Sequence, residues 1–300
     1  MECPLPYPGD NEFRADARFH QSEFRENILR IDFDVSDKRA KYGNILPRDA
    51  AKQGVIFYEG YRDYIMGVAR KRYGKINGTA LYANLLRSEH IPLNIFTPME
   101  LNLDNAKDLF NEIISGGIAN IKEIKIEHPG SYNPTKYLED RTSFDTFILY
   151  TSITGLQGGI GIEVKYTELG YKIGKKESED IKNPDHPYTS VTKSCGYFID
   201  PDPLKFKADH LRQIWRNHIL GASMLQAGDI DIFHCIHLYP KGNSHFHEKA
   251  LPEYRNLLTQ KGKKTFLGLT YEDLFSKMKT YFTSAKEVKW IEYLNNRYLF

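Results

Sequence analysis

The chain has 300 residues, 41% of them hydrophobic and 27% charged, the balance of an ordinary globular protein large enough to fold without a disulfide or metal staple. Forty-one Lys and Arg against 39 Asp and Glu leave a formal charge of +2, which excludes an acidic tail or a histone-like polycation but allows a local basic groove. No apolar run reaches the roughly 20 residues of a membrane span, and the opening MECPLPYPGD has neither region of a secretory signal. Three cysteines (Cys3, Cys195, Cys235) in no CxxC spacing point to a reduced, cytoplasmic protein.

Taken in order, residues 12–31 predict a helix, with Phe13, Phe19, Phe24 and Ile28 at loosely helical spacing. A second helix is expected over 48–73. Its last turn carries Arg70, Lys71 and Arg72 before Gly74, an arrangement the helix dipole favours and one that could also touch phosphate. Residues 84–99 read as a short helix bent near Pro92. Residues 105–115 are amphipathic, with Asn105 as the expected cap and Gly116-Gly117 as the end. Residues 121–128, 144–151 and 160–167 read as strands, and the Gly-rich 152–159 as a hairpin connection. Residues 206–223 form a strong helical pattern with Leu211, Ile214, Trp215, His218 and Ile219 on one side; 230–239 read as a buried strand. A capping box at Thr270 opens a C-terminal helix, and another helix ends at Phe300. Helices interleaved with a mainly mixed sheet make the class α/β or α+β, not a bundle or a sandwich.

The strand at 160–167 carries the chemistry. Glu163 and Lys165 alternate with Ile162, Val164 and Tyr166, so they share a side about 7 Å apart. Asp145 stands near the start of the preceding strand, before the apolar Phe147-Ile148-Leu149-Tyr150, where a carboxylate is costly to desolvate without a compensating cation. A hairpin turning at Gly155 would set Asp145 opposite Lys165 and Phe147 opposite Glu163, so Asp145, Glu163 and Lys165 converge. A slip of one residue would turn Asp145 to the other face. Two carboxylates and a lysine suit a hard divalent cation such as Mg²⁺. The carboxylates would hold the metal, which would polarise a phosphodiester and acidify a water. The ammonium would sit near the attacking water or the developing charge. The alternative is an amphipathic strand whose solvated Glu and Lys pair weakly with an Asp.

Asp145, followed eighteen residues later by Glu163-Val164-Lys165 on an adjacent strand, resembles the D…(D/E)xK signature of the PD-(D/E)xK nuclease superfamily. The resemblance implies a restriction-endonuclease-like core, in the order helix, three-stranded meander, helix and strand. It is nearest to a restriction-endonuclease group whose first helix would here be Ser88-Glu89-His90-Ile-Pro-Leu-Asn94-Ile-Phe96. It implies Asp145 and Glu163 as metal-binding acids, a backbone carbonyl from Val164, and Lys165 as the catalytic lysine. Glu89 matches the acid of the first core helix, and Gln213 a glutamine on the later helix. One departure is Phe144 where the family has proline.

Other signals compete. His234 and His237 fall on opposite strand faces, which argues against joint zinc ligation; His245 and His247 share a parity. Arg212 and Arg216, one turn apart around Trp215, read either as a charged helix rim or as a phosphate clamp. Lys172, Lys175 and Lys176 fall in an expected loop on the substrate side, and Arg141 is either a phosphate contact or a partner of Asp140 or Glu139. No P-loop, dinucleotide fingerprint or GxSxG elbow is present.

The expectation is therefore a nuclease core over 81–240, with a mostly helical N-terminal extension over 1–80 and a C-terminal helical extension over 241–300 packed on the core. It would cut double-stranded DNA with Mg²⁺, for which Mn²⁺ could substitute, as a restriction-type endonuclease, with a symmetric homodimer as the common solution for cutting both strands. A repair or recombination exonuclease of the same fold, or a non-catalytic nucleic-acid-binding module, are the alternatives.

Overall fold

The computed structural model describes residues 5–32, 40–74, 80–129 and 136–300; Cys3 lies outside them. Its helices are α1 (Glu12–Glu23), α2 (Arg48–Lys52), α3 (Arg62–Tyr73), α4 (Ala80–Ala83), α5 (Ile91–Ile95), α6 (Leu103–Ile113), α7 (Lys175–Lys182), α8 (Pro187–Ser194), α9 (Asp209–Gln226), α10 (Leu251–Asn256), α11 (Gln260–Thr265), α12 (Tyr271–Tyr281) and α13 (Ala285–Tyr298). The strands are β1 (Ile118–His128), β2 (Phe144–Ser152), β3 (Gln157–Val164), β4 (Ile232–Tyr239) and β5 (Phe266–Thr270). The described residues form two compact units. The first holds the chain up to Asn105, Val164–Thr167 and Thr270–Phe300. The second holds Ala106–Glu163 and Glu168–Leu269.

The second unit is built on a mixed sheet flanked by helices, the class the sequence predicted, in the order β1-β2-β3-β4-β5; its fifth strand, β5, lies in the stretch expected to be a helical extension and was not predicted. α6 leads into it with Ala106, Leu109, Phe110 and Ile113 buried at helical spacing. Its start is capped by Asn102, which accepts from the Asn105 amide at 3.3 Å; the expected cap, Asn105, lies one turn too late. Asn111 then grips both sides of Ile118, accepting from its N–H at 2.8 Å and donating to its carbonyl at 3.0 Å. Gly116 and Gly117, at φ 93° and 102°, make the turn between. α9 is the main covering helix, with Leu211, Ile214, Trp215, His218 and Ile219 all buried.

β2 and β3 pair antiparallel, with Thr146 opposite Ile162, Phe147 opposite Gly161 and Ile148 opposite Ile160. The expected register, with Phe147 opposite Glu163, is therefore out by two residues. The turn is the reason: Ser152 accepts from Gly155 N–H at 2.9 Å and donates its own N–H to Leu156 O at 2.8 Å, so pairing resumes at once. Of the glycines expected in the connection, Gly155 makes the turn at φ 82°, while Gly158 and Gly159 are strand residues. A Cβ on Gly158 would lie 2.0 Å from the Tyr150 ring, and one on Gly161 2.4 Å from the Phe144 ring. The aromatic side chains of β2 occupy the space that β3 leaves open. Because the displacement is even, every side chain keeps its expected face.

Among the described residues, the regular elements of the first unit are helices, apart from the end of β3 at Val164, the end of β5 at Thr270 and an isolated antiparallel bridge between Ile45 and Asn84. The helix expected over 48–73 is two helices, α2 and α3, because Gly54 turns at φ 68° and its N–H closes α2 onto Ala51 O at 3.0 Å. Pro92 starts α5 rather than bending a longer helix, since its missing N–H is harmless in a first turn. Thr270 caps α12 through the Asp273 amide, but the full reciprocal capping box is at Ser284 and Glu287, opening α13. Buried Asn94 organises the interior. It accepts from Tyr58 N–H at 3.0 Å, donates to Ile56 O at 3.1 Å, and its carbonyl accepts from the Trp290 indole at 2.8 Å. Among the described residues no helix is long and apolar enough to cross a membrane.

Candidate active site

In the second unit, Asp145 and Glu163 sit at the ends of paired strands. One pair beyond Thr146–Ile162, the same register sets Asp145 across from Glu163, at a Cα separation of about 5 Å. The sequence expectation that they share a face holds; the expected partner of Asp145, Lys165, does not. Asp145 is half-buried, and Glu163 is only 3% exposed.

Two amides from α9 hold the Glu163 carboxylate. The Gln213 side chain donates to Oε1, and Asn217 donates to Oε2 at 2.5 Å. Both donors are neutral, so they orient the carboxylate without cancelling its charge. Asn217 was not singled out in the sequence. Its signal is the spacing to Gln213: residues four apart on a helix face the same way. Cys235 lies close by, and burial, reinforced by the Glu163 charge, pushes its thiol up and keeps it protonated.

Glu163 closes the second unit's share of β3, and Val164 and Lys165 continue the chain in the first unit. Lys165 is one residue past the strand and 8% exposed. Its carbonyl accepts from the Tyr271 hydroxyl at 2.6 Å. Glu89 belongs to the same unit but not to a helix. It lies in the turn before α5, because α5 begins only at Ile91, beside Pro92. Arg87 grips it, with Nε 2.8 and 2.9 Å from the two carboxylate oxygens. Burial pushes the Glu89 carboxyl up, but hydrogen bonds from Arg87 and a backbone amide, with the charges of Arg87 and Lys165, outweigh it and hold the group below the usual carboxylate range.

The two arginines of α9 are engaged by acids, which corrects the phosphate-clamp expectation. Arg212 is fully buried and contacts Glu177 at 3.1 Å and Asp209 at 2.9 Å. Arg216 bonds Asp140 at 2.7 Å and Glu177 at 2.8 Å. Burial pushes Asp140 up, but the Arg216 charge and bonds from Thr142 and Tyr188 more than reverse this and hold it low. Arg216, not Arg141, is thus the partner of Asp140. Arg141 is exposed, as are Lys172, Lys175 and Lys176; the last two occupy the first turn of α7 rather than a loop.

Among the described residues no three or more His, Cys, Asp or Glu side chains gather as a metal site. His234 and His237 belong to no such group. A pair of carboxylates is a different donor set. It offers hard oxygen ligands and leaves most positions to water and substrate, which fits Mg²⁺ or Mn²⁺.

A family model described as the PD-(D/E)XK nuclease superfamily matches residues 8–300 of the chain. No curated protein and no solved structure matches it.

Proposed function

We propose, on the premise that this chain belongs to the PD-(D/E)XK nuclease superfamily, that it is a metal-dependent nuclease hydrolysing DNA phosphodiester bonds as a restriction-type endonuclease. The observation that carries the reading is the β2–β3 register, which one pair beyond Thr146–Ile162 sets Asp145 across from Glu163, together with the hold of Gln213 and Asn217 of α9 on Glu163. Asp145 and Glu163 would hold the divalent cation, with the Val164 carbonyl as a further oxygen. When bound, such a cation polarises the phosphodiester and acidifies a coordinated water.

The chain's own residues supply the rest. Gln213 and Asn217 keep the Glu163 oxygens in a fixed orientation, as the supporting contacts of metal ligands do. Lys165 carries an ammonium that stabilises the negative charge developing on the phosphate and orients the attacking water. Glu89 is an auxiliary acid, held ionised at neutral pH by Arg87. Exposed Arg141, Lys172 and Lys175 contact the backbone of the substrate, where Lys and Arg position the duplex without reading sequence.

The test is a substrate panel of covalently closed circular DNA, linear DNA and RNA, with Mg²⁺ or Mn²⁺. Cutting of the circle supports the endonuclease reading. Degradation of linear DNA alone means an exonuclease. Binding of DNA without cutting under any metal means a nucleic-acid-binding module. Sedimentation of the protein with a cleaved duplex shows whether two copies act together.

A further inference from the structure

A lysine side chain has a flexible four-carbon stem, so its ammonium is placed only as well as the backbone it grows from. Lys165 lies just beyond the last residue of β3. Its carbonyl is held by the hydroxyl of Tyr271, 106 residues away in sequence, at 2.6 Å. That hydroxyl comes from a fixed place. Tyr271 is fully buried and is the first residue of α12, whose start is capped by Thr270 accepting from Asp273 N–H at 3.1 Å. Its ring stacks on Phe275 at 5.7 Å and on Tyr166 at 6.4 Å. Tyr166, the next residue after Lys165, is held as well: its hydroxyl accepts from Gln21 Nε2 at 2.9 Å, and its ring meets Tyr298 edge-on at 5.9 Å.

We propose that Tyr271 is a positioning residue for Lys165, its hydroxyl fixing the Lys165 peptide so that the ammonium is presented at one place. The inference rests on the nuclease reading, which makes Lys165 the catalytic lysine. Tyr271 itself touches no reacting atom. Its contribution is geometric, and displacements of about 1 Å at a reacting group can cost on the order of 100-fold in rate.

Tyr271→Phe removes the hydroxyl and keeps the ring stack. The full-length protein carrying ¹³Cε-lysine is followed by NMR, with the Lys165 signal assigned by its loss in Lys165→Arg. The inference predicts a displaced Lys165 signal in Tyr271→Phe. It also predicts a kcat on DNA reduced by about tenfold or more at unchanged KM, with a shifted limb of the pH–rate profile. Leu274→Ala, a buried change on the same helix, serves as the comparison for simple destabilisation. It lowers the folded fraction but leaves the Lys165 signal and the pH profile in place. An unmoved Lys165 signal in Tyr271→Phe overturns the inference, as does a kcat that falls only with the folded fraction. A wild-type protein that cuts no nucleic acid would sink the nuclease reading instead, and the NMR comparison would still decide whether Tyr271 holds Lys165.

Discussion

Asn217 donates its side-chain amide to Glu163 at 2.5 Å, one helical turn beyond Gln213, so a single helix holds both oxygens of one carboxylate. Supporting contacts of this kind typically contribute 10–100-fold to metal affinity. Gln213→Ala and Asn217→Ala should each weaken Mg²⁺ or Mn²⁺ binding by about that factor. Calorimetric titration of the three proteins checks this. Equal affinities would mean that the amides are only filling space.

The α9 arginines make a separate prediction about stability. Arg216, Asp140 and Glu177 are all largely shielded from solvent, at 16%, 16% and 15% side-chain exposure. Removing one partner of such a buried network leaves uncompensated charge and typically costs 3–5 kcal/mol. Arg216→Ala should lose about that much in urea unfolding, and Arg216→Lys should recover only part, since lysine cannot reproduce the planar fork. A loss under about 0.5 kcal/mol would place Arg216 among ordinary surface residues.

Gly161 tests the fit of β3 against β2. A Cβ there would sit 2.4 Å from the Phe144 ring. Phe144 is fully buried among Phe147 and Phe233, so the ring has little room to yield. Gly161→Ala should cost about 1–3 kcal/mol, read as a lowered melting temperature. An unchanged melting temperature would show that Phe144 can move aside.

His218 gives the pH dependence. Burial lowers it from 6.5 to about 3 in the folded protein, where the Tyr254 hydroxyl and Thr265 Oγ1 bond its two nitrogens at 2.9 and 2.8 Å. Between those values the unfolded chain takes up a proton that the folded chain does not. Stability therefore rises with pH across that window, and falls as pH drops from about 6.5, by about 1.4 kcal/mol per unit from this residue. Comparing urea unfolding of wild type and His218→Gln from pH 7 to pH 4 isolates the contribution. Parallel curves would contradict it.

Much of this arrangement is legible in the sequence. Apolar periodicity marks β1, β2, α6 and α9, and strand alternation puts Asp145 and Glu163 on one face. The exact pairing is not legible, because it depends on how tightly residues 152–156 turn and on Phe144 and Tyr150 filling the space above the β3 glycines. Asn217 was within reach, through its spacing from Gln213. Tyr271 was not, since no local pattern ties it to a lysine 106 residues earlier. The opposite error occurred at Arg212 and Arg216, where sequence cannot tell a guanidinium facing solvent from one enclosed by Asp140, Glu177 and Asp209.

The central claim is that Asp145, Glu163 and Lys165 act together in metal-dependent phosphodiester hydrolysis. Its most direct test is incubation of closed circular duplex DNA with Mg²⁺, comparing wild type with Glu163→Gln and Lys165→Ala. The account predicts nicking or linearisation by wild type only, abolished by chelation and by either substitution. Cutting that survives both substitutions would contradict it.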